Sequence, residues 1–354
     1  MPPGDRRRRR ASRRFAAITV KEVAARAGVS TATVSRVLSG AGGVASGLQR
    51  RVYDAAKALN YRPNRAARNL RAGSNQIVGV LIPDIENPFF ISVVCGIEEV
   101  LQTAGYSLLL ANFNESPERE QVQLASLRAE GVAGLIFASS RKPAEEYKRF
   151  VDAGTPMAAV SRVIAGLNID TVTVDNAEGA RTAVSHLISL GHRRIAIING
   201  PLSLNTARER QGGYEQAFRD AGLSVPAELV RYGDFRQAGG FHAMKTLLAE
   251  AERPTAVFTA SNLMTLGALE AIHESNLEIP ADIAVVGFDD MPWATSLRPP
   301  LTTVAQPATE VGRTAARMLL DRLYDPRRPQ RQAVLNTRLI VRSSCGARSG
   351  GAIV

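Results

Sequence analysis

The stretch TVKEVAARAGVSTATVSRVLSG, Thr19 to Gly40, decides the fold of the N-terminal region. Thr19 and Glu22 have the spacing of a capping box, in which each side chain accepts a hydrogen bond from the other residue's backbone N–H. Gly28 permits a tight turn, and Ser30 is placed to cap a second helix. Helical periodicity predicts that the first helix buries Val20, Val23, Ala24 and Ala27. The stretch therefore predicts two short helices joined by a tight turn.

The second helix is predicted to have an apolar face and a short polar face. The apolar face contains Val34, Val37 and Leu38. The polar face contains Thr31, Ala32, Thr33, Ser35 and Arg36. Such a face fits the DNA major groove, where an arginine can donate two hydrogen bonds to guanine, although it also suits the outside of a plain three-helix bundle. For a third helix, Ser46 and Gln49 predict another capping box, followed by an inward face of Val52, Ala55 and Leu59.

Positive charge is concentrated at the N-terminus. Residues 1–75 hold 17 Lys and Arg against 3 Asp and Glu, a net charge of +14, whereas the whole chain carries +11, so the remainder stands at −3. Residues 1–15 contain seven Arg and one Asp, and the region is still at +8 without them. A solvated arginine tail alone therefore does not explain the asymmetry, which favours a nucleic-acid partner.

Residues 61–75, YRPNRAARNLRAGSN, are predicted to form a linker. The segment from Asn64 to Leu70 is compatible with a helix, but a helix this short is marginal alone in water. We expect it to fold against DNA or a second copy of itself, where Leu70 can wedge between base steps from the minor groove. An ordinary interdomain linker is the alternative. Residues 1–17 are rich in Pro and Arg and are predicted to be a disordered basic tail.

From Gln76 onward, strand-like apolar runs alternate with amphipathic helical stretches, which predicts an α/β domain with parallel sheets. The predicted strands are Ile77–Ile82, Tyr106–Ala111, Gly134–Ala138, Arg194–Asn199, Thr255–Ala260 and Ile283–Gly287. Such sheets bind ligands beyond the carboxyl ends of their strands. The only cysteines are Cys95 and Cys345, no metal-ligand spacing occurs, and no apolar run reaches the roughly 20 residues of a membrane span. We therefore expect a cytoplasmic protein without a metal or cofactor.

The sequence resembles the lac-repressor (LacI/GalR) family of bacterial transcription regulators over about residues 18–344. The most specific motif is VKEVAARAGVSTATVSRVL at Val20–Leu38, followed by YRPNRAARNL at Tyr61–Leu70. Further motifs are IVGVLIPDIENPFF at 77–90, LGHRRIA at 190–196, VVGFDD at 285–290, PPLTTVAQ at 299–306 and LIVRSS at 339–344. The resemblance implies a homodimer, or a dimer of dimers, that binds a pseudo-palindromic operator with its recognition helices in two major grooves.

By position in these motifs, the resemblance implies base and groove contacts from Thr31, Ala32, Ser35 and Arg36. It implies phosphate contacts from Thr19, Ser30, Thr33 and Tyr61. It implies roles in a minor-groove hinge for Asn64, Ala67 and Leu70. Because Ala32 is short, part of the base recognition is expected to move to Arg36.

The resemblance also predicts the domain organisation. A helix-turn-helix DNA-binding domain at 18–62 and a hinge and linker at 63–75 precede a ligand-binding and dimerisation domain at 76–344. That domain resembles type I periplasmic sugar-binding proteins, with two Rossmann-like lobes joined by three crossovers. The N-lobe is expected at about 76–175 and 307–335, the C-lobe at about 176–306 and 336–344, and a tail at 345–354.

Between the lobes the resemblance implies a pocket for a sugar-like effector. The positions that match it are Phe89, Phe90, Arg162, Arg210, Phe235, Ser261, Asp289 and Gln306. Asp289 and Arg210 are the expected clamps on hydroxyl groups, Gln306 supplies an amide, and aromatic rings, including Trp293, offer stacking surface. The alternatives are that Phe89 and Phe90 belong to the core, that Asp289 caps a helix and that Arg210 lies on the surface.

Two departures from the family pattern bear on the ligand. Ser161 stands where an acidic residue often precedes Arg162, and Ser261–Asn262 replaces a common Asn–Asp pair. Both positions lose a carboxylate that holds hydroxyls, so we expect a less hydroxylated or differently substituted sugar, such as an amino or acetamido sugar.

The function predicted overall is repression of sugar-utilisation genes under effector control. The alternatives are a solute-binding protein of a sugar transporter and an enzyme on a nucleotide-binding fold. The basic helical head argues against the first alternative. The absence of GxGxxG after the first strand, of a P-loop motif and of HExxH argues against the second.

Overall fold

The computed structural model describes residues 18–38, 43–61, 75–139, 145–164 and 166–347. They belong to two compact units, Met1–Asn75 and Gln76–Val354. The predicted basic tail at 1–17 and almost all of the predicted hinge lie outside the described residues.

The first unit contains three helices among its described residues: α1 (Val20–Ala27), α2 (Thr31–Leu38) and α3 (Ser46–Ala58). Their inner faces form one small core in which Val23, Val34 and Val52 are fully buried. Gly28 ends α1 with φ at +62°, a left-handed conformation that glycine adopts without the penalty of a Cβ atom. The predicted pair of helices joined by a tight glycine turn is therefore confirmed.

The two predicted capping boxes of this unit have different outcomes. The Glu22 carboxylate accepts from the backbone N–H of Thr19 at 2.6 Å, as expected at the start of α1. The box predicted from Ser46 and Gln49 is wrong. Ala45 occupies the N-cap position of α3, and the Gln49 side chain donates to the carbonyl oxygen of Val44 at 2.9 Å. Ser46 is one position too far into the helix for a hydroxyl cap.

The second unit is built on two six-stranded sheets, each with helices on both faces. The N-lobe sheet runs in the order β11-β5-β4-β3-β1-β2 and is parallel throughout. Its strands are β1 (Ile77–Ile82), β2 (Ser107–Asn112), β3 (Gly134–Phe137), β4 (Met157–Val160), β5 (Asp170–Val174) and β11 (Gln332–Leu335). This arrangement confirms the predicted α/β fold with Rossmann-like lobes.

The C-lobe sheet runs in the order β12-β10-β9-β8-β6-β7 and is parallel except for the antiparallel pairing of β12 with β10. Its strands are β6 (Ile195–Asn199), β7 (Val230–Tyr232), β8 (Ala256–Thr259), β9 (Ala284–Phe288), β10 (Thr302–Ala305) and β12 (Arg338–Ile340). The chain passes between the lobes after β5, after β10 and after β11. These are the three crossovers that the family resemblance implied.

Helices cover both sheets. The N-lobe helices are α4 (Pro88–Thr103), α5 (Pro117–Ala129), α6 (Glu145–Asp152) and α11 (Ala308–Tyr324). The C-lobe helices are α7 (Asn176–Ser189), α8 (Asn205–Asp220), α9 (Gln237–Leu248) and α10 (Asn262–Glu274). None of the helices in the described ranges has both the length and the apolar character needed to cross a bilayer.

The predicted C-terminal tail begins too early. Cys345 is fully buried in the core between the C-lobe sheet and α7, and Ala347 packs against the same cluster. The Cys345 thiol lies 3.3 Å from Nε2 of His186. The C-lobe therefore continues at least to Ala347, because these residues complete its core.

Candidate functional site

The three-helix unit at the N-terminus, called the head below and described over residues 18–38 and 43–61, exposes the predicted recognition face to solvent. Thr31, Ala32, Ser35 and Arg36 of α2 are exposed, and Thr33 is half-buried. The Ser30 hydroxyl accepts from the backbone N–H of Thr33 at 3.1 Å, so Ser30 caps α2 as predicted. The exposed face therefore consists of short side chains that allow close approach of a duplex, together with one arginine.

Contacts on the opposite side hold α2 in place. Val34 and Val37 are buried, and the Tyr53 hydroxyl donates to the carbonyl oxygen of Val37 at 3.3 Å. An Arg51 guanidinium nitrogen lies 3.4 Å from the carbonyl oxygen of Gly28, which ties α3 to the turn. The recognition face is thus presented on a fixed scaffold.

The other residues predicted to contact DNA lie in two places. Thr19 is exposed at the start of α1, and Tyr61 is half-buried against the head core. Asn64, Ala67 and Leu70 lie outside the described residues.

A cavity lies between the two lobes of the second unit, at the carboxyl ends of several strands. Its empty space, including the part open to solvent, is about 350 Å³. It is lined by Asn87, Phe89, Phe90, Ser161, Arg162, Thr206, Arg210, Phe235, Ser261, Asp289 and Gln306. The structure thus brings the predicted effector-site residues other than Trp293 to one cavity and adds Asn87, Ser161 and Thr206.

Arg210 is the buried cation of the C-lobe half of the cavity. Its Nε donates to Oδ1 of Asn176 at 2.9 Å, its Nη1 donates to the carbonyl oxygen of Ala260, and its guanidinium carbon lies 3.7 Å from the centre of the Phe288 ring. Burial lowers the pKa of Arg210 to about 10, against the attraction of Asp289. The guanidinium therefore remains charged at neutral pH, and its hydrogen-bond partners among the described residues are neutral groups.

Asp289 supplies the carboxylate of the same half. Burial raises its pKa, although Arg210 and hydrogen bonds from Gln306 and Asn262 act in the opposite direction. One oxygen accepts from the backbone N–H of Asn262 at 3.2 Å, so Asp289 both lines the cavity and caps α10. The other accepts from Nε2 of Gln306. Oε1 of Gln306 is buried and has no hydrogen-bond partner among the described residues, which leaves an acceptor at the cavity.

Arg162 is the cation of the N-lobe half, and it has a carboxylate partner that the sequence did not reveal. Its two terminal nitrogens donate to the two oxygens of Glu115 at 2.8 and 2.6 Å. The guanidinium carbon lies 5.7 Å from the Phe90 ring centre and 5.8 Å from that of Phe235. Glu115 therefore supplies a charge partner for Arg162, but it does not line the cavity, so the loss of a hydroxyl-holding carboxylate at Ser161 stays a prediction.

Aromatic rings form the apolar part of the cavity. Phe89 and Phe90 are buried and meet edge to face with ring centres 5.1 Å apart. The Phe235 ring lies so close to Gly200 that a Cβ atom there would be 2.1 Å from it, so only glycine permits this placement. Trp293 is not among the lining residues. It packs half-buried against the C-lobe core from the short 3₁₀ turn Pro292–Thr295, which corrects its prediction as a stacking surface.

Hydrogen bonds join the two lobes around the cavity. Nδ2 of Asn262 donates to Oδ1 of Asn87 at 2.9 Å. Arg236 donates to Oδ1 and to the carbonyl oxygen of Asn114, at 2.9 and 2.7 Å. The backbone N–H of Val163 donates to Oδ1 of Asn205 at 3.2 Å. The lobes are therefore closed on each other at three points among the described residues.

Backbone strain is concentrated around this cavity. Among the described residues other than glycine, seven have positive φ, and five of these are Asn114, Glu115, Ser161, Phe235 and Asp289. Such conformations are unfavourable for residues with a Cβ and persist where the surrounding structure fixes them, often at functional sites. Asn114 and Glu115 follow the carboxyl end of β2, which is the one sequence signal that could have pointed to them. No cluster of metal-ligating side chains occurs within the described ranges.

Comparison with known proteins finds relatives that contain both kinds of unit. Residues 19–64 match the bacterial regulatory proteins of the lacI family, and residues 184–345 match the periplasmic binding protein-like domain. The ribose operon repressor of Escherichia coli (strain K12) is 37% identical over 329 residues, which cover 92% of this chain and 99% of that repressor. The HTH-type transcriptional repressor PurR of Klebsiella pneumoniae (strain 342) is 35% identical over 333 residues, which cover 92% of this chain and 96% of that protein.

Solved structures give the same result. The lac repressor dimer bound to operator and the anti-inducer ONPF matches with a TM-score of 0.83 at 31% identity, covering 94% of this chain and 100% of the other. The complex of the transcriptional regulator CelR with cellobiose matches with a TM-score of 0.71 at 35% identity, covering 92% of this chain and 99% of the other. The similarity therefore spans the head, the lobes and the cavity.

Proposed function

Since the chain belongs to the lacI family of bacterial regulatory proteins, we propose that it represses sugar-utilisation genes and that a small sugar-like effector sets its affinity for operator DNA. It is a DNA-binding transcription regulator. The named relatives are repressors, which favours this function over that of a solute-binding protein of a sugar transporter. We place it in the cytoplasm, as a homodimer on a pseudo-palindromic operator, acting without catalysis or a cofactor.

One observation carries the effector part of the proposal. Arg210, Asp289 and Gln306 converge on one small cavity, and Oε1 of Gln306 has no hydrogen-bond partner among the described residues. Sugar hydroxyls donate and accept, so they complement a guanidinium, a carboxylate and an amide carbonyl together. Phe89, Phe90 and Phe235 offer apolar surface to the C–H face of a sugar ring, and Arg162 and Ser261 complete the predicted site.

The proposed DNA contacts follow from the exposed face of α2. Arg36 makes the base contact with the highest specificity, and the short side chains of Thr31, Ala32 and Ser35 permit close approach. Thr19, Ser30, Thr33 and Tyr61 contact phosphates. Asn64, Ala67 and Leu70 act in the minor groove as a hinge.

Effector and operator are coupled through the lobes. A ligand in the cavity contacts side chains of both lobes, and therefore favours one relative arrangement of them. In a dimer, this arrangement sets the spacing of the two hinge segments and the two heads. The coupling is reciprocal, so operator must change effector affinity by the same factor that effector changes operator affinity.

The test measures both binding events on the full chain. An operator is selected from random duplexes, and fluorescence anisotropy gives its affinity with and without a panel of sugars. We expect Arg36→Ala to lose about 1–3 kcal/mol of discrimination between the selected and a scrambled duplex. Lys57→Ala, which removes an exposed charge from α3, is the control and should retain the discrimination. A monomer without duplex preference, or an operator affinity that no sugar changes, would contradict the proposal.

A further inference from the structure

The charges around the cavity balance. Arg162 is paired with Glu115, and Arg210 lies near Asp289. Other charged groups of this region have partners of their own: Arg236 binds Asn114, and Glu209 binds the side chain of Asn176. Asp84 is buried, and burial raises its pKa. The charged residues that line the cavity are Arg162, Arg210 and Asp289, and with the Glu115 partner of Arg162 their charges sum to zero. The site therefore has no net positive charge that would attract an anionic ligand.

Glu115 is decisive in this balance. An arginine fork binds phosphate or carboxylate groups through two parallel N–H donors. In Arg162 those donors already bind Glu115, and the Arg162 side chain is only 6% exposed. A ligand anion would have to displace the Glu115 carboxylate and leave it unpaired beside a second negative charge, in a site largely closed to water.

The loop that carries Glu115 is fixed from several directions. Asn114 and Glu115 both have left-handed backbone conformations, with φ of +53° and +55°. The backbone N–H of Glu115 donates to the carbonyl oxygen of Pro83 at 2.8 Å, and Arg236 of the other lobe binds Asn114. The strained turn thus aims the carboxylate at Arg162 and is itself held when the lobes are closed.

We propose that Glu115 makes the cavity select ligands by their charge. By neutralising Arg162, it restricts the cavity to uncharged hydroxylated ligands and excludes their phosphate esters and carboxylic acids. Glu115 does not line the cavity, so it acts by positioning and neutralising Arg162. This inference rests on the proposed function, since it specifies the class of effector.

The experiment compares Glu115→Gln with the wild type. Glutamine keeps the length and one acceptor of glutamate but leaves the charge of Arg162 uncompensated. Glu118→Gln is the matched control, because Glu118 lies three residues away, is exposed and binds only the Ser116 hydroxyl among the described contacts. Calorimetry measures each variant with pairs of a neutral pentose or hexose and its phosphate ester or uronic acid. Inorganic phosphate at constant ionic strength is the second probe, and its binding is detected as a rise in the melting temperature of the protein.

We expect the wild type and Glu118→Gln to bind the neutral member of a pair and to show no change in melting temperature when phosphate is added. In Glu115→Gln, the ratio of neutral to anionic affinity should fall at least about tenfold, and phosphate should raise the melting temperature. The double variant Glu115→Gln/Arg162→Gln should lose both the increased relative affinity for anionic sugars and the stabilisation by phosphate. A general structural role of Glu115 would not predict this loss. The head is identical in all variants, so phosphate binding by the head cancels in the comparison.

The outcomes separate this inference from the proposed function. Preference of the wild type for the phosphate ester overturns the inference, and so does a ratio that Glu115→Gln leaves unchanged. Failure of Glu115→Gln to bind phosphate or any anionic sugar also overturns it. If no sugar binds to any variant but phosphate stabilises Glu115→Gln alone, the inference stands and the proposed sugar effector is wrong.

Discussion

The two lobes hold their cavity-facing arginines in different ways. Arg162 of the N-lobe binds a carboxylate, Glu115, through two hydrogen bonds. Arg210 of the C-lobe binds an amide oxygen and a carbonyl oxygen and stacks on Phe288. Asp289 attracts it more strongly than Glu209 does, but makes no direct hydrogen bond to it among the described contacts. Arg162 and Glu115 therefore satisfy each other, whereas Arg210 and Asp289 balance in net charge without a direct ion pair among the described contacts, so the hydroxyls of an uncharged ligand can still bind both.

The difference has an energetic side. Burial lowers the pKa of Arg210 and raises that of Asp289, so the charged form of each group is costly to the folded state. Such a cost is common at binding sites, where stability is lost in favour of groups that a ligand engages. The comparison therefore predicts that the C-lobe half dominates ligand affinity.

The largest effect is expected from Arg210→Met. Methionine fills much of the same volume but removes every hydrogen bond of the guanidinium, so effector affinity should fall about 100-fold or more, as for loss of one partner of a buried charged hydrogen bond. Operator affinity without effector should stay within about twofold of the wild type, because the head is unaltered. Titration calorimetry and anisotropy measure the two quantities.

Arg208→Met is the control for this variant. Arg208 lies on the same helix, is exposed and donates only to the carbonyl oxygens of Leu202 and Ser203 among the described contacts. It should leave effector affinity unchanged. An Arg210→Met protein that binds effector as tightly as Arg208→Met would show that the C-lobe half does not dominate.

The next effect concerns two adjacent aspartates with opposite pKa shifts. Burial raises the pKa of Asp289, so the stability that this group contributes declines as pH rises from the ordinary aspartate pKa towards the raised one. For Asp290, burial also raises the pKa, but hydrogen bonds from Arg342 and Thr303 outweigh it, and the net pKa is lowered. Asp290 therefore contributes stability above the ordinary pKa, and this is lost as pH falls through the lowered value.

At pH 7 the two substitutions should act in opposite directions. Asp289→Asn removes a costly buried charge and should stabilise the protein, and Asp290→Asn should destabilise it, each on the order of 1 kcal/mol. Only Asp289→Asn should also weaken effector binding. Denaturant unfolding at pH 7 and at pH 4 measures the free energy of unfolding of each variant. The difference in this free energy between Asp289→Asn and Asp290→Asn should be smaller at pH 4 than at pH 7. Destabilisation by both variants at pH 7 would contradict the assignment of Asp289 as a strained binding group.

The sequence predicted the head almost completely, because its helices are short and their signals are local. Gly28, Ser30 and the spacing of Val34 and Val37 each determine a feature through neighbours within a few positions. Ser46 was misassigned because a capping box allows a shift of one residue, and only the path of the preceding loop decides which residue is the N-cap.

The cavity was predictable in its membership but not in its pairing. Matching motifs placed Arg162, Arg210 and Asp289 together, since each follows or faces the carboxyl end of a strand. Glu115 lies 47 residues from Arg162 and is turned towards it by a left-handed conformation that no local pattern requires of a glutamate. Partners of this kind are set by tertiary packing, so an arginine whose neighbours in sequence are uncharged can still have a carboxylate partner in space.

The smallest effect is expected where the two halves meet. Asn262→Ala removes the hydrogen bond to Asn87 that joins the C-lobe to the N-lobe, but leaves no buried acceptor unpaired, because Oδ1 of Asn87 also accepts from the backbone N–H of Phe89 at 3.0 Å. The contacts of Arg236 with Asn114 and of Asn205 with Val163 remain. We therefore expect a loss of effector affinity of only about three- to tenfold, as for one neutral hydrogen bond.

The measurement pairs calorimetry with small-angle scattering of the effector-free protein. If the Asn87–Asn262 bond favours closed lobes, Asn262→Ala should shift the scattering towards a more open form, and effector should restore the closed one. Gln237→Ala is the control, since Gln237 is exposed and binds Glu270 within the C-lobe. Weakened affinity without any change in scattering would mean that the Asn262 side chain supports the ligand site without holding the lobes closed, and that the halves are joined by the Arg236 and Asn205 contacts instead.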